Sequence, residues 1–437
     1  MSQAGRPKGR PWGRAALWLA GLGPFFFASY GLATYLAGRR AEVPVIVFAW
    51  ESAIPLLPWS IIPYWSIDLL YGLSLFLCTT RRELDTHAKR LLTAQCLAVA
   101  CFIAVPLRFS VERPPLGGIP GQLFALLGEF DQPFNQAPSL HIALLVILWV
   151  RFAAHMHVPW RWALHAWFAL IGVSVLTTWQ HHFIDVPTGA WLGFLTLWLF
   201  PDGGPGPLAA FAVTRDGRRR RLALRYGAGG LLLASLALWA GGFAYWLLWP
   251  AASLLLVGLI YLALGPDAFQ KGATGRLSLA ARWLLGPYLW GARHNTRFWQ
   301  GDGRATTRIA GDIALGRFPA PQIAAQFATV IDLSAELPGR PGRDGYASIP
   351  MLDLATPEPA RLRTAARAIE AACGRGPVLV NCALGYSRSA AAVATWLLAY
   401  GHCDSAEAAV AVIRAARPHI VLDAAAIAVI AAAAAPP

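Results

Sequence analysis

The chain has 437 residues, of which 56% are hydrophobic and only 14% charged, with 19 Trp and 21 Phe. Soluble chains average about 45–50% apolar and about 25% charged residues, so a disordered chain is excluded, and the composition argues against a single soluble globular enzyme. The net charge of +14 is uneven: residues 1–293 hold 24 Lys and Arg against 12 Asp and Glu, and residues 294–437 hold 13 against 11. Basicity that travels with the apolar part marks cytoplasmic loops of a membrane protein. It argues against nucleic acid as a partner, because no soluble basic face gathers it.

Arg6, Lys8, Arg10 and Arg14 precede the uncharged run Ala15–Gly38, which reads as an uncleaved first span. Further spans are expected near 61–79, 91–107, 138–156, 162–180 and 186–201. The uncharged stretch Tyr226–Pro266 is long enough to cross twice, with a turn near Trp249-Pro250. Eight spans with the N-terminus inside make cytoplasmic loops of Arg81–Arg90, the stretch around Arg151–Arg161, Arg215–Arg225 and Lys271–Arg293. That places 20 of the 24 cations of this part inside, and the C-terminus as well. Glu129 and Asp131 read as solvated loop residues. Residues 268–293 fit a membrane-surface helix or an ordinary linker helix.

From about 294 the pattern becomes α/β. Strands are expected at Ala328–Leu333 and Pro377–Asn381, and helices at Leu362–Cys373, Ser389–Tyr400 and Ala406–Ala416. The expected organisation is an N-terminal segment with the first span (1–60), a membrane core (61–205), a basic loop with two spans and a linker (206–293), and a soluble domain (294–437). The six cysteines contain no Cys-X-X-Cys, and three lie in apolar spans, so no disulfide framework is expected. No metal cluster is visible, and no cofactor is implied.

Two constellations carry chemistry. The first is Val378-Leu-Val-Asn-Cys-Ala-Leu-Gly-Tyr-Ser-Arg-Ser389, a strand, a loop and a helix start. A loop closing onto a helix N-terminus turns its N–H groups inward around an anion. Gly385 permits a left-handed bend, Arg388 can clamp two phosphate oxygens, and the positive surroundings favour Cys382 as a thiolate nucleophile. Ser389 can donate to the sulfur and help it leave. This region, about 304–430, resembles the dual-specificity branch of the cysteine-dependent phosphatases. Ile309–Pro319, Val330–Glu336 and Ala416-Arg-Pro-His-Ile420 resemble further segments of that family. The resemblance implies a phosphocysteine intermediate, no metal, and Asp353 as the general acid. Asn381 stands where the family usually has His.

The second constellation comprises Arg113-Pro114, Pro138-Ser-Leu-His141 and His181-His-Phe-Ile-Asp185, which the expected topology gathers at the outer face. Ionisable groups at membrane depth are costly and usually functional. His181 can attack phosphorus, and Asp185, four residues on along a continuing helix, can orient it. His141 can protonate the leaving oxygen. Arg113, Ser139 and Arg108 can hold phosphate oxygens. His182 reads as a neighbour without chemistry. Residues 60–200 resemble the type 2 phosphatidic acid phosphatase (PAP2) superfamily, nearest the branch of inositol phosphorylceramide and sphingomyelin synthases. Pro106 stands where the superfamily has a Lys, and Ser174-Val175 where it has Ser-Arg.

The expected protein is a polytopic α-helical membrane domain with a PAP2-like six-helix core, joined to a soluble α/β cysteine-phosphatase domain. It would be a bifunctional phosphatase in a bacterial inner membrane, acting on membrane lipids, with a lipid phosphate or a phosphoprotein as substrate. A headgroup transferase with an accessory phosphatase, and a non-catalytic lipid-phosphate sensor, are the alternatives.

Overall fold

The computed structural model describes residues 9–129, 132–299, 304–339 and 344–435; Arg6, Lys8 and Asp131 lie outside them. The chain divides into two compact units, residues 1–206 and 207–437.

The first unit is helical: α1 Trp12–Gly38, α2 Ile61–Leu77, α3 Arg81–Ala104, α4 Gly118–Gly128, α5 Leu140–His155, α6 Arg161–Thr177 and α7 Asp185–Leu199. Leu84, Leu91, Ile147, Phe168 and Ile171 lie in its core, each at most 1% exposed. The second unit begins with α8 Gly217–Ala240 and α9 Leu248–Leu259. Among the described residues, four helical stretches are long and apolar enough to cross a membrane: Trp12–Gly38, Pro58–Leu77, Gly217–Ala240 and Gly242–Leu264. The other four expected spans meet helices α3, α5, α6 and α7, which are shorter or carry charge at one end.

Three expectations change. Arg81–Arg90 is not a loop but the start of α3. The Thr80 hydroxyl accepts from the Glu83 N–H, and the Glu83 carboxylate accepts from Thr79 N–H at 2.7 Å. This reciprocal capping satisfies donors that would otherwise be orphaned at the helix start. Two cations assigned to cytoplasmic loops, Arg90 and Arg151, are buried against Asp202, and Arg151 also pairs with Glu83. The turn between α8 and α9 falls at Gly241-Gly242, not at Trp249-Pro250. Both glycines have positive φ (60° and 50°), which a side chain resists. Pro250 instead occupies the first turn of α9, where its missing N–H costs no helical bond.

The rest of the second unit contains α10 Leu279–Leu284, α11 Gly286–Trp299, β1 Thr306–Ala310, β2 Ile313–Gly316, the single turn α12 Pro321–Ala324, β3 Thr329–Ser334, β4 Tyr346–Met351, α13 Pro359–Ala372, β5 Val378–Asn381, α14 Arg388–Ala399, α15 Ala406–Ala416 and α16 Ala424–Ala434. The sheet order is β1-β2-β5-β3-β4; β1 is antiparallel to β2 and the other pairs are parallel. Parallel strands buried on both faces read as continuous apolar runs, and all four residues of β5 are buried. Leu362, Ala365, Ala366, Ile369 and Ala372 form the buried stripe of α13, at the spacing of one helix face. Full burial of Leu362 and Ile369 contributes about 1.5–3 kcal/mol each. The central strand β5 runs between β2 and β3, so whatever follows Asn381 emerges at the carboxyl edge of a parallel sheet, where ligands bind in open α/β sheets.

Candidate active sites

Cys382 follows β5 directly and is 2% exposed. Its Sγ lies 3.3 Å from the Ser389 Oγ and accepts the Gly385 N–H at 3.3 Å. Gly385 has φ +74°, and a Cβ there would come within 2.6 Å of the Gly316 carbonyl carbon. Both the bend and the close approach require glycine. Arg417 braces the loop from outside, its Nε donating to Gly385 O at 3.1 Å. This gives a function to the segment Ala416–Ile420 that resemblance alone had singled out.

Arg388 opens α14 and is 1% exposed. It donates two parallel bonds to Glu336, at 2.8 and 2.7 Å, and a third to Met351 O at 3.0 Å, and it pairs with Asp353 at 2.9 Å. Its Nε is buried with no hydrogen-bond partner. A buried N–H left open is costly unless something fills it, and a phosphate oxygen is the acceptor this geometry suits. Burial works against the guanidinium, but Asp353 and Glu336 outweigh it and raise its pKa. Burial raises the Asp353 carboxyl above the ordinary range; Glu336 adds to this and Arg388 opposes it. Asp353 and Cys382 line one cavity of about 500 Å³. The structure thus brings together Cys382, Gly385, Arg388, Ser389 and Asp353.

Behind the loop lies a network that sequence reading missed. Asn381 donates through Nδ2 to Asp332 Oδ1 at 3.3 Å. Asp332 also accepts from Lys271 Nζ at 2.7 Å, Tyr346 OH at 2.6 Å and the Ser334 N–H at 2.9 Å. Lys271 and Asp332 are fully buried. Asn381 therefore bonds a side-chain carboxylate and not the backbone. The donor that compensates that carboxylate comes from 61 residues upstream, beyond any local pattern.

In the first unit, Ser139 caps α5, its Oγ accepting from the Ile142 N–H. The same Oγ lies 3.1 Å from His181 Nε2, and His181 Nδ1 lies 3.2 Å from Asp185 Oδ2. Ser139 N–H donates to Asp185 O at 3.2 Å. Gly189 allows this approach, since a Cβ there would come within 2.4 Å of Ser139 O. His181 precedes α7 and does not lie on it, so the pairing of His181 with Asp185 comes from the bend before the helix. His141, the second residue of α5, stacks on Tyr64 at 4.1 Å between ring centres, and its Nε2 is buried without a partner. Arg113 lies over the Phe124 ring at 4.9 Å, and Arg108 is exposed. Ser139, His181 and Asp185 are joined by hydrogen bonds.

His182 is held at both ring nitrogens. Its Nδ1 lies 2.9 Å from Glu51 Oε2, which also accepts the Phe183 N–H at 3.0 Å, and its Nε2 lies 3.1 Å from Ser110 Oγ. The hydrogen bonds from His182, Phe48 and Phe183 hold Glu51 below the usual carboxylate range, although burial, the largest single influence, raises it. Glu51 lies 131 residues from His182, which is why no motif pointed to it.

A family model described as the dual specificity phosphatase, catalytic domain, matches residues 315–433. Similar solved structures include PTPMT1 in complex with PI(5)P, 20% identical over 30% of this chain and 95% of that one, with a TM-score of 0.28. Tk-PTP in its active form is 27% identical over 29% and 92%, with a TM-score of 0.25. Human DUSP28 is 24% identical over 30% and 93%, with a TM-score of 0.26. A search of curated proteins finds no match. Residues 315–433 form a dual specificity phosphatase catalytic domain, and the chain is a phosphoric monoester hydrolase.

Proposed function

We propose that the chain is a membrane-bound phosphatase of lipid phosphate esters with two sites. At the first, Cys382 Sγ attacks phosphorus. Asp353, whose carboxyl burial and Glu336 raise above the ordinary range, gives its proton to the departing alkoxide. Arg388 and the loop N–H groups stabilise the equatorial oxygens. A water, deprotonated by Asp353, then attacks the phosphocysteine, and the Ser389 hydroxyl donates to the departing sulfur. The observation that carries this reading is the thiol seated between Ser389 Oγ and Gly385 N–H, in one cavity with Asp353 and Arg388.

The second site is a PAP2-like phosphohistidine centre. Ser139 Oγ beside His181 Nε2 marks that nitrogen as the attacking atom, and Asp185 at Nδ1 fixes its tautomer and offsets the charge that develops. His141, with an open ring nitrogen, is the acid for the leaving group. Arg108 and Arg113 supply positive charge for the phosphate. Val175, wholly buried, stands where the superfamily has an arginine. That apolar position favours a second reading, in which an alcohol replaces water as acceptor and a headgroup is transferred. The membrane is read as a bacterial inner membrane, and the positive-inside distribution supports cytoplasmic termini, the histidine site facing out and the cysteine site facing in.

The test is phosphate release from a panel of phospholipid phosphomonoesters by detergent-purified wild type, Cys382→Ser and His181→Ala. Loss in one variant alone assigns that lipid to one site. Silence of wild type on every lipid, on phosphotyrosyl peptides and in an acceptor-alcohol assay refutes the proposal. A signal in the acceptor assay alone selects transfer.

A further inference from the structure

The cavity over Cys382 has a wall that the phosphatase domain does not supply. Arg218, Arg221 and Arg225, from the first turns of α8, line it together with Cys382 and Asp353. Their spacing of three and four residues sets all three on one helix face. Arg218 is engaged by Asp423 at 2.7 Å. Arg221 and Arg225 are exposed, and among the described residues neither has a carboxylate partner. A single phosphomonoester on the cysteine loop already has Arg388 and the loop N–H groups, so these two guanidiniums are surplus to its needs. Two features bear on what they hold. Arg225 is the last cation before an uncharged run from Tyr226 to Ala240, in a helix long and apolar enough to cross a membrane. Arginines at that depth lie level with lipid headgroups.

We propose that Arg221 and Arg225 form a second anion subsite of this cavity, holding the phosphodiester of a phospholipid whose headgroup ends in the phosphomonoester that reaches Cys382. The substrate class is thereby a membrane lipid with two phosphates, one a diester and one a terminal monoester. Planar guanidinium forks match both oxygens of a diester. This subsite rests on the lipid-phosphatase reading of Cys382.

The test uses the full chain in lipid nanodiscs with four substrates: the two-phosphate phospholipid, its deacylated headgroup, phosphatidic acid and 4-nitrophenyl phosphate. For R221A/R225A, kcat/KM on the two-phosphate lipid falls by on the order of 10–100-fold, the loss of two charge-assisted contacts. The fall is carried by KM and is at least about ten times larger than that on 4-nitrophenyl phosphate. R221K/R225K keeps the charge and recovers part of the loss. Equal falls on all four substrates, a fall in kcat alone, or equal dependence on the two arginines for phosphatidic acid overturns the subsite. Turnover of the deacylated headgroup equal to that of the intact lipid overturns the membrane source of the anion. Cys382-dependent release from phosphotyrosyl peptides, with none from any lipid, overturns the lipid reading itself and the subsite with it.

Discussion

Glu336→Gln separates two consequences of one carboxylate. The side chains of Glu336 and Arg388 are 4% and 1% exposed, and their two parallel bonds make a buried bidentate pair. Removing one partner of such a pair costs about 3–5 kcal/mol. Met351 O and Asp353 still hold Arg388, which puts the cost at the low end, about 3 kcal/mol. In a unit of roughly 150–250 residues, 1 kcal/mol shifts Tm by about 2–4 °C, so Tm falls by about 6–12 °C. The second consequence is kinetic. In the proposed mechanism Asp353 is the general acid, so activity falls as pH rises through its pKa. Glu336 helps raise that pKa, and the variant's alkaline limb therefore moves to lower pH. The assay is thermal unfolding of the purified full chain, paired with kcat/KM against pH on an alkyl phosphate, whose leaving alkoxide needs the proton. An unchanged Tm refutes the buried-pair reasoning. An alkaline limb that stays or rises refutes the electrostatic account of Asp353.

Asn381→Asp sets a carboxylate where a donor 3.3 Å from Asp332 had been. One of the two acids must then take up a proton, and we expect a loss of about 3 kcal/mol or more, read by denaturant unfolding and relieved at low pH. Gly385→Ala strains a position at φ +74° and drives a methyl into Gly316; phosphate release falls on the order of 10²-fold, checked by steady-state assay. Ser389→Ala removes the hydroxyl 3.3 Å from the sulfur, so the phosphoenzyme accumulates and a burst appears in rapid-quench kinetics. Glu51→Gln removes an acceptor held below its ordinary pKa. The wild-type contribution is present above the usual carboxylate range and is lost as pH falls through the depressed value, so the variant's deficit in Tm shrinks on acidification.

What the sequence disclosed was local. Cys382, Gly385, Arg388 and Ser389 are close in the chain, and the strand–loop–helix pattern fixes their geometry within a few residues. The apolar runs pointed to the long apolar helices, because period and length are written in composition. The pairings that hold each site were not legible. Arg388 meets Glu336 across 52 residues and Lys271 meets Asp332 across 61. Both depend on which strands become neighbours, which no window of sequence carries. The Arg81–Arg90 segment misled because its charges suggested a solvated loop, whereas Glu83 caps a helix and Arg90 finds Phe200 O and Asp202. Gly241-Gly242 was a stronger turn signal than Trp249-Pro250, since a proline in a first helical turn breaks nothing.

Lys271 bears on the portability of the phosphatase domain. The amino-acid composition changes character near residue 294, yet the ammonium that neutralises Asp332 departs from the chain before that point, as does Tyr261, whose hydroxyl donates to Asp353 O at 3.0 Å. A gene fragment cut at the compositional break would encode a domain whose buried Asp332, the register partner of Asn381 just before the nucleophile, lacks its cation. A fragment that keeps this ion pair begins at or before Lys271, or else Asp332 must first be replaced. Recombination that moves it between proteins is constrained by one lysine.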